Sequence, residues 1–125
     1  MKTARRRREM QFRREFYERV VRHDPQYQEA LAGLAQVCTE LGDYQKGLQA
    51  DLCLARLSPL DPAIYYNLAC DYSRLGRIDE AFVLLRAAVL LGYRDRERMD
   101  RDPDLENLRK DRRYREVQRE LGACG

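Results

Sequence analysis

The 125-residue sequence predicts an all-α fold, a solenoid of antiparallel helix pairs with about seven helices. Three observations predict it. Seven Gly and four Pro are too few for a turn-rich β protein. Apolar residues recur at helical spacing, as in Ala30, Leu31, Leu34, Val37, Cys38 and Leu41. The chain also resembles itself at a fixed period. A shift of 34 residues sets Leu34-Ala35 on Leu68-Ala69, Leu41-Gly42 on Leu75-Gly76, Leu57 on Leu91 and Asp61 on Asp95. The same shift backwards sets Val20, Val21 and Pro25 opposite Leu54, Ala55 and Pro59.

The elements follow in chain order. Residues 1–8 carry Arg5, Arg6, Arg7 and Arg8, and positive charge at a helix N-terminus opposes the macrodipole, so an unstructured basic arm is expected there. Residues 9–121 form one domain. Residues 9–23 make an N-terminal half repeat, a helix with Phe12, Phe16, Tyr17, Val20 and Val21 expected on its inner face. The first full repeat spans 28–61. Asp24-Pro25 should open its first helix, with Asp as N-cap and Pro at the first helical position. Gly42 ends that helix, and Asp43 caps a second with Tyr44, Leu48, Leu52 and Ala55 on one face. The second repeat, 62–95, has the same grammar. Asp61-Pro62 opens it, Leu68, Ala69, Tyr72 and Leu75 form the stripe, and Gly76 closes it. Ile78, Phe82, Leu85, Ala88 and Val89 line the partner helix. Residues 96–121 form a cap, with helices expected at about 103–110 and 112–121. Tyr114, Val117 and Leu121 should face inward. Small residues, Ala35 with Gly47 and Ala69 with Ala81, stand where paired helices come closest. Gly47 reflects either tight packing or mere tolerance of a residue that costs a helix about 1 kcal/mol.

Charge is distributed unevenly. Residues 1–23 hold nine Lys or Arg against three acids, a net +6. Residues 24–93 hold five against nine, a net −4, and residues 94–125 hold ten against nine, a net +1. No apolar run approaches the ~20 residues of a membrane helix. No apolar segment follows the basic start, as a signal peptide would require, so a cytoplasmic protein without membrane insertion is expected. Cys38, Cys53, Cys70 and Cys124 contain no Cys-x-x-Cys, and His23 is the lone histidine, so no metal site is expected. Cys38 and Cys53 read as small buried residues.

The 34-residue pattern resembles the tetratricopeptide repeat family. The residues that carry the resemblance run from Tyr65-Tyr66-Asn67-Leu68-Ala69 through Tyr72, Leu75-Gly76 and Ile78 to Ala81. The first unit matches less closely, with Leu31 for an aromatic, Cys38 for Tyr and Gly47 for Ala. Asp51 stands where the family has a large apolar residue, which suggests a slightly rotated helix. The stretch from Gly92 to Tyr114 is similar to the closing segment of small bacterial repeat proteins of this kind. The resemblance implies a protein-binding module, an adaptor or chaperone-like, with no catalysis and no cofactor. Its partner would be a peptide or helix on a concave face. That face would be lined by Glu29, Ala32, Gly33 and Gln36, then by Ala63, Tyr66, Asn67, Cys70 and Arg74. Cys70 would then be accessible. Alternatively, Tyr66 packs on the neighbouring tail and Asn67 is only a common motif residue. Family members that grip the C-terminal carboxylate of heat-shock chaperones need cations that this chain lacks. Ala32 and Gln36 stand in two of those places, and Glu97 has the wrong sign.

A second reading uses the basic arm, Arg5, Arg6, Arg7 and Arg8 with Arg13 and Arg14, to hold an acidic protein surface or a nucleic acid. The acidic body and the absence of a nucleic-acid-reading motif weigh against the latter. Opposite charge at head and body would also suit self-association. Asp102 and Asp104 read as helix starters. No grouping of His, Ser or Gly suggests an enzyme.

Overall fold

The computed structural model describes residues 2–124, with side chains for 3–122. It is all-α, with no strand among the described residues. Helices are α1 (Lys2–His23), α2 (Gln28–Glu40), α3 (Tyr44–Leu57), α4 (Pro62–Arg74), α5 (Ile78–Leu90), α6 (Arg96–Arg101), α7 (Glu106–Arg109) and α8 (Arg113–Cys124). A 3-10 turn, Pro103–Leu105, leads into α7. No described helix is long and apolar enough to cross a membrane. The chain divides into two compact units, one ending at Pro59 and the other beginning at Leu60.

The first unit is α1, α2 and α3. Glycine in the left-handed region ends α2, since Gly42 has φ +82° where a Cβ would be strained. Asp43 then accepts from the Lys46 backbone N–H at 3.3 Å and starts α3. The return of α3 along α2 brings Ser58 to Gln28 at 3.0 Å. Gly47 reflects tight packing: a Cβ there would lie 2.9 Å from Thr39 Oγ1 and 3.4 Å from the Ala35 carbonyl. Asp51 stays on the buried side of α3 with Leu48 and Leu54, so α3 is not turned to expose it.

Three expectations for this unit are corrected. Asp24-Pro25 does not begin α2. Asp24 Oδ1 accepts from Gln26 N at 3.2 Å, forming a turn, and α2 starts at Gln28 after Tyr27. The expected break after residue 8 is absent. Helix α1 carries the arginine run from Lys2, with Met1 outside the described residues. Arginine is a good helix former, and extending an existing helix is cheap once its packed part is in place. The rotation of α1 also differs. Its inner row is Met10, Arg14, Tyr17 and Val21, at helical spacing, while Phe12 is 72% and Phe16 53% exposed. Arg14 sets this rotation. Its guanidinium bonds Glu18 at 2.8 Å and Asp43 at 2.9 Å, which turns a charged side chain inward and two phenyl rings outward.

The second unit is α4 and α5 with the C-terminal elements wrapped against them. Asp61 accepts from Ala63 N at 2.9 Å, and Pro62 occupies the first turn of α4. Gly76, at φ +76°, ends α4 as Gly42 ends α2. One apolar cluster joins Tyr66, Phe82, Leu85, Met99, Leu105, Leu108, Tyr114, Val117 and Leu121. The inward placement of Tyr114, Val117 and Leu121 therefore agrees with their helical spacing. Helix α8 runs alongside α5 in the same direction, because Arg113 meets Asp79 at 2.8 Å and Arg86 meets Glu116 at 2.6 Å. Helix α6 has no counterpart in the sequence pattern. Its single buried apolar residue, Met99, shows no period, and its start is specified by Asp95 accepting from Arg98 N at 3.1 Å.

Gly33 tests the packing of α1. A Cβ at Gly33 would fall 2.4 to 2.8 Å from the Tyr17 ring, so the ring has to shift. Gly33→Ala in a helix interior would ordinarily stabilise by about 1 kcal/mol. Here thermal or urea unfolding should show no gain or a loss, and the gain should return when Tyr17→Ala is added.

Candidate functional site

Helix α4 places Tyr66, Cys70 and Arg74 one above the other, at i, i+4 and i+8. All three meet the short stretch from Asp102 to Leu105. The Tyr66 hydroxyl donates to Asp102 Oδ2 at 2.7 Å. The Cys70 thiol lies 3.9 Å from the same oxygen. Arg74 forks onto Asp104, with Nε 2.7 Å from Oδ1 and a terminal nitrogen on Oδ2. It also reaches Asp71 at 3.1 Å. Asp102 simultaneously starts the 3-10 turn by accepting from Asp104 N at 3.0 Å, and Leu105 is fully buried beyond it. Tyr93 stacks on Tyr66 at 4.4 Å, and the Arg98 guanidinium lies 4.8 Å from the Tyr66 ring centre. From behind, Arg109 donates to the Met99 and Asp102 carbonyls at 2.8 Å, and Asn107 donates to the Ser73 carbonyl at 3.2 Å.

The electrostatics follow from this enclosure. Burial alone would raise the Asp102 pKa. Hydrogen bonds from Tyr66 and Asp104 N, with Arg98 nearby, prevail and hold it below the usual carboxylate value. Burial, with Cys70 and Asp102 close by, pushes the Tyr66 phenol up. Burial and the Asp102 charge push the Cys70 thiol up. Cys70, Asp102 and Asp104 offer ligand atoms within 4.8 Å of one another. A metal there would meet a thiol that resists ionisation and carboxylates already engaged by Tyr66 and Arg74, so the donor set suits internal bonding rather than a cation.

The expected groove is thus split in fate. Tyr66 and Cys70 are buried, Cys70 at 3% exposure, and Arg74 is engaged, because the chain's own turn covers them. The alternative, that Tyr66 packs on the tail, is what the structure holds. Ala63 and Asn67 stay exposed on α4. On α2, Glu29, Ala32 and Gln36 are exposed, while Gly33 seats the Tyr17 ring. Of the basic arm, Arg5, Arg7, Arg8 and Arg13 are exposed, and Arg6 lies 3.6 Å from Glu40. Arg14 is taken up by Glu18 and Asp43 and leaves the set. Asp102 and Asp104 do more than start a helix, since each also receives a side chain of α4. Two acids 36 and 30 residues after Tyr66 and Arg74 were the available signal, near the repeat period.

Comparison with known proteins adds a partial likeness. No family model matches the chain. Over 49 residues it is 43% identical to a chloroplastic protein from Arabidopsis thaliana. That stretch covers 39% of this chain and 15% of the relative, so the chain corresponds to a small part of that protein.

Two outcomes are expected. Tyr66→Phe removes a hydrogen bond to a mostly buried carboxylate and should cost about 1–3 kcal/mol of unfolding free energy at neutral pH. Asp102 has a depressed folded pKa, so its contribution is present above the ordinary value near 4 and is lost as pH falls through the folded value. The difference between wild type and Tyr66→Phe, measured by urea unfolding, should therefore shrink below about pH 4. Cys53, expected to be buried like Cys38, is only half-buried, so it should alkylate with iodoacetamide before Cys38 and Cys70, as peptide mass mapping would show. The Cys124 side chain lies outside those described.

Proposed function

We propose that the chain is a protein-binding module of the tetratricopeptide-repeat type, cytoplasmic, adaptor or chaperone-like, that holds a peptide or helix and performs no catalysis. The observation that supports it most is the seating of Asp102–Leu105 on α4. A short acidic 3-10 turn lies across the Tyr66, Cys70 and Arg74 side of α4 in a helix hairpin, held by a tyrosine hydroxyl, an arginine fork and an apolar pocket. The face of such a hairpin is chemically able to take up a chain segment. In the second unit that place is filled by the chain itself. In the first unit the positions one period earlier, Glu29, Ala32 and Gln36, remain open. The partner's contact surface is therefore assigned to α2.

A second reading assigns binding to the arginines of α1, acting on an acidic protein surface or a nucleic acid. The observation that favours it is the exposure of Arg5, Arg7, Arg8 and Arg13 along one continuous helix.

A photo-crosslinking residue at position 32 of the full chain distinguishes them. The groove reading expects a crosslinked partner that persists at ~0.5 M salt and disappears with Gln36→Arg. Crosslinks that vanish in salt, or with Arg5–Arg8 changed to Ala, would transfer the function to α1. An absence of crosslinks under both conditions would sink the assignment to α2.

A further inference from the structure

The outer side of α1 carries a stripe that the fold leaves uncovered. Arg5, Arg8, Phe12, Phe16 and Arg19 follow one another at steps of three and four residues, so they lie on one side of the helix, and all are exposed. The side chain of Phe16 is oriented by an edge contact with Tyr17, whose ring centre is 5.7 Å away. Among the described residues, Arg5, Arg8 and Arg19 make no ion pair, in contrast to Arg14 on the inner side. Isolated exposed apolar residues are ordinary, but two phenyl rings one turn apart between three unpaired guanidinium groups form a patch.

We infer that this stripe is a docking site for an acidic amphipathic helix of a partner protein. Phe12 and Phe16 form an i, i+4 ridge, the shape that enters the groove of a second helix. The arginines stand at either end of the ridge, about four turns apart from Arg5 to Arg19. They complement a helix that presents Leu or Ile at its centre and Asp or Glu toward its ends. Arg is suited to this because its fork binds carboxylates in two-point contact. Glu9 and Glu15 flank the stripe on opposite edges and would repel a continuous phosphate backbone. Two rings also present too little apolar surface for insertion into a bilayer interface, where affinity grows with buried apolar area. A copy of α1 laid on this face would bring arginines against arginines. The inference rests on the second reading above, binding by the exposed arginines of α1, and names the partner chemistry for it. It concerns a different helix and a different chemistry from the α2 face.

The test uses the full chain and a fluorescent synthetic helix of about 18 residues, with Leu at the centre of one face, Glu toward both ends and Ala or Gln elsewhere. A peptide of the same composition in scrambled order is the control. Anisotropy should report binding of the patterned peptide, weakened at least about tenfold by the pair Phe12→Ser and Phe16→Ser, and similarly by Arg5, Arg8 and Arg19 changed to Gln. These positions are exposed, so circular dichroism should show the fold retained. Gln36→Arg should leave this binding unchanged, which keeps its fate separate from that of the α2 assignment. Equal binding of the scrambled peptide would overturn the inference, since charge alone would then suffice. So would absence of peptide binding at ~1 mM, or loss of binding through Gln36→Arg rather than the phenylalanine pair. Phosphatidylserine-containing vesicles or a single-stranded oligonucleotide bound in place of the peptide would overturn it too. A change of sedimentation on Phe12→Ser and Phe16→Ser, without peptide binding, would replace the partner helix by a second copy.

Discussion

Two side chains of α4 and two aspartates of a short turn carry the second unit. Tyr66 and Arg74 stand two turns apart, and Asp102 and Asp104 stand two residues apart. The turn is held at both ends, so Leu105 between α4 and α7 is driven into the cluster. Asp102 accepts from Tyr66 and Asp104 N with Arg98 close by, and Asp104 is gripped by the Arg74 fork, which offsets the cost of taking the carboxylates out of water. The cap that follows, through Leu108, Tyr114, Val117 and Leu121, closes on a surface this turn has already shaped. The same atoms that would have met a ligand on α4 therefore serve as structural contacts.

The first unit has a comparable anchor in Arg14. One guanidinium bridges Glu18 within α1 and Asp43 at the α2–α3 turn. That choice of an inward arginine decides which residues of α1 are left outside. It places Tyr17 over Gly33, where only a hydrogen side chain leaves room for the ring, and it turns Phe12 and Phe16 to solvent. A rotation of a single helix thus removes one expected contact surface and creates another.

Repeat spacing recurs in the second unit as a spacing of contacts. Arg113 reaches Asp79 and Asn107 reaches Ser73, each across 34 residues. The C-terminal segment keeps that period although α6, the 3-10 turn and α7 replace a single longer helix. Charge pairs and carbonyl contacts maintain the phase where apolar pattern is sparse.

The ends of α2 and α4 and the starts of α3 and α4 were legible along the chain because local chemistry decides them. Gly42 and Gly76 can enter the left-handed region cheaply, Asp43 and Asp61 satisfy free N–H groups, and alternating three- and four-residue steps mark the buried stripes. The charge asymmetry was equally plain. Helix α6 escaped because one methionine makes no period. The candidate site was legible only as a face, Tyr66, Cys70 and Arg74, with its occupant open. Whether the tail covers that face depends on contacts 30 to 36 residues apart. The rotation of α1 likewise hangs on a bridge from Arg14 to Asp43, 29 residues away. Periodicity sees which residues share a side of a helix, and aromatic residues normally mark the buried one. Only the tertiary structure decides which side is buried, because a paired arginine can be the better neighbour there.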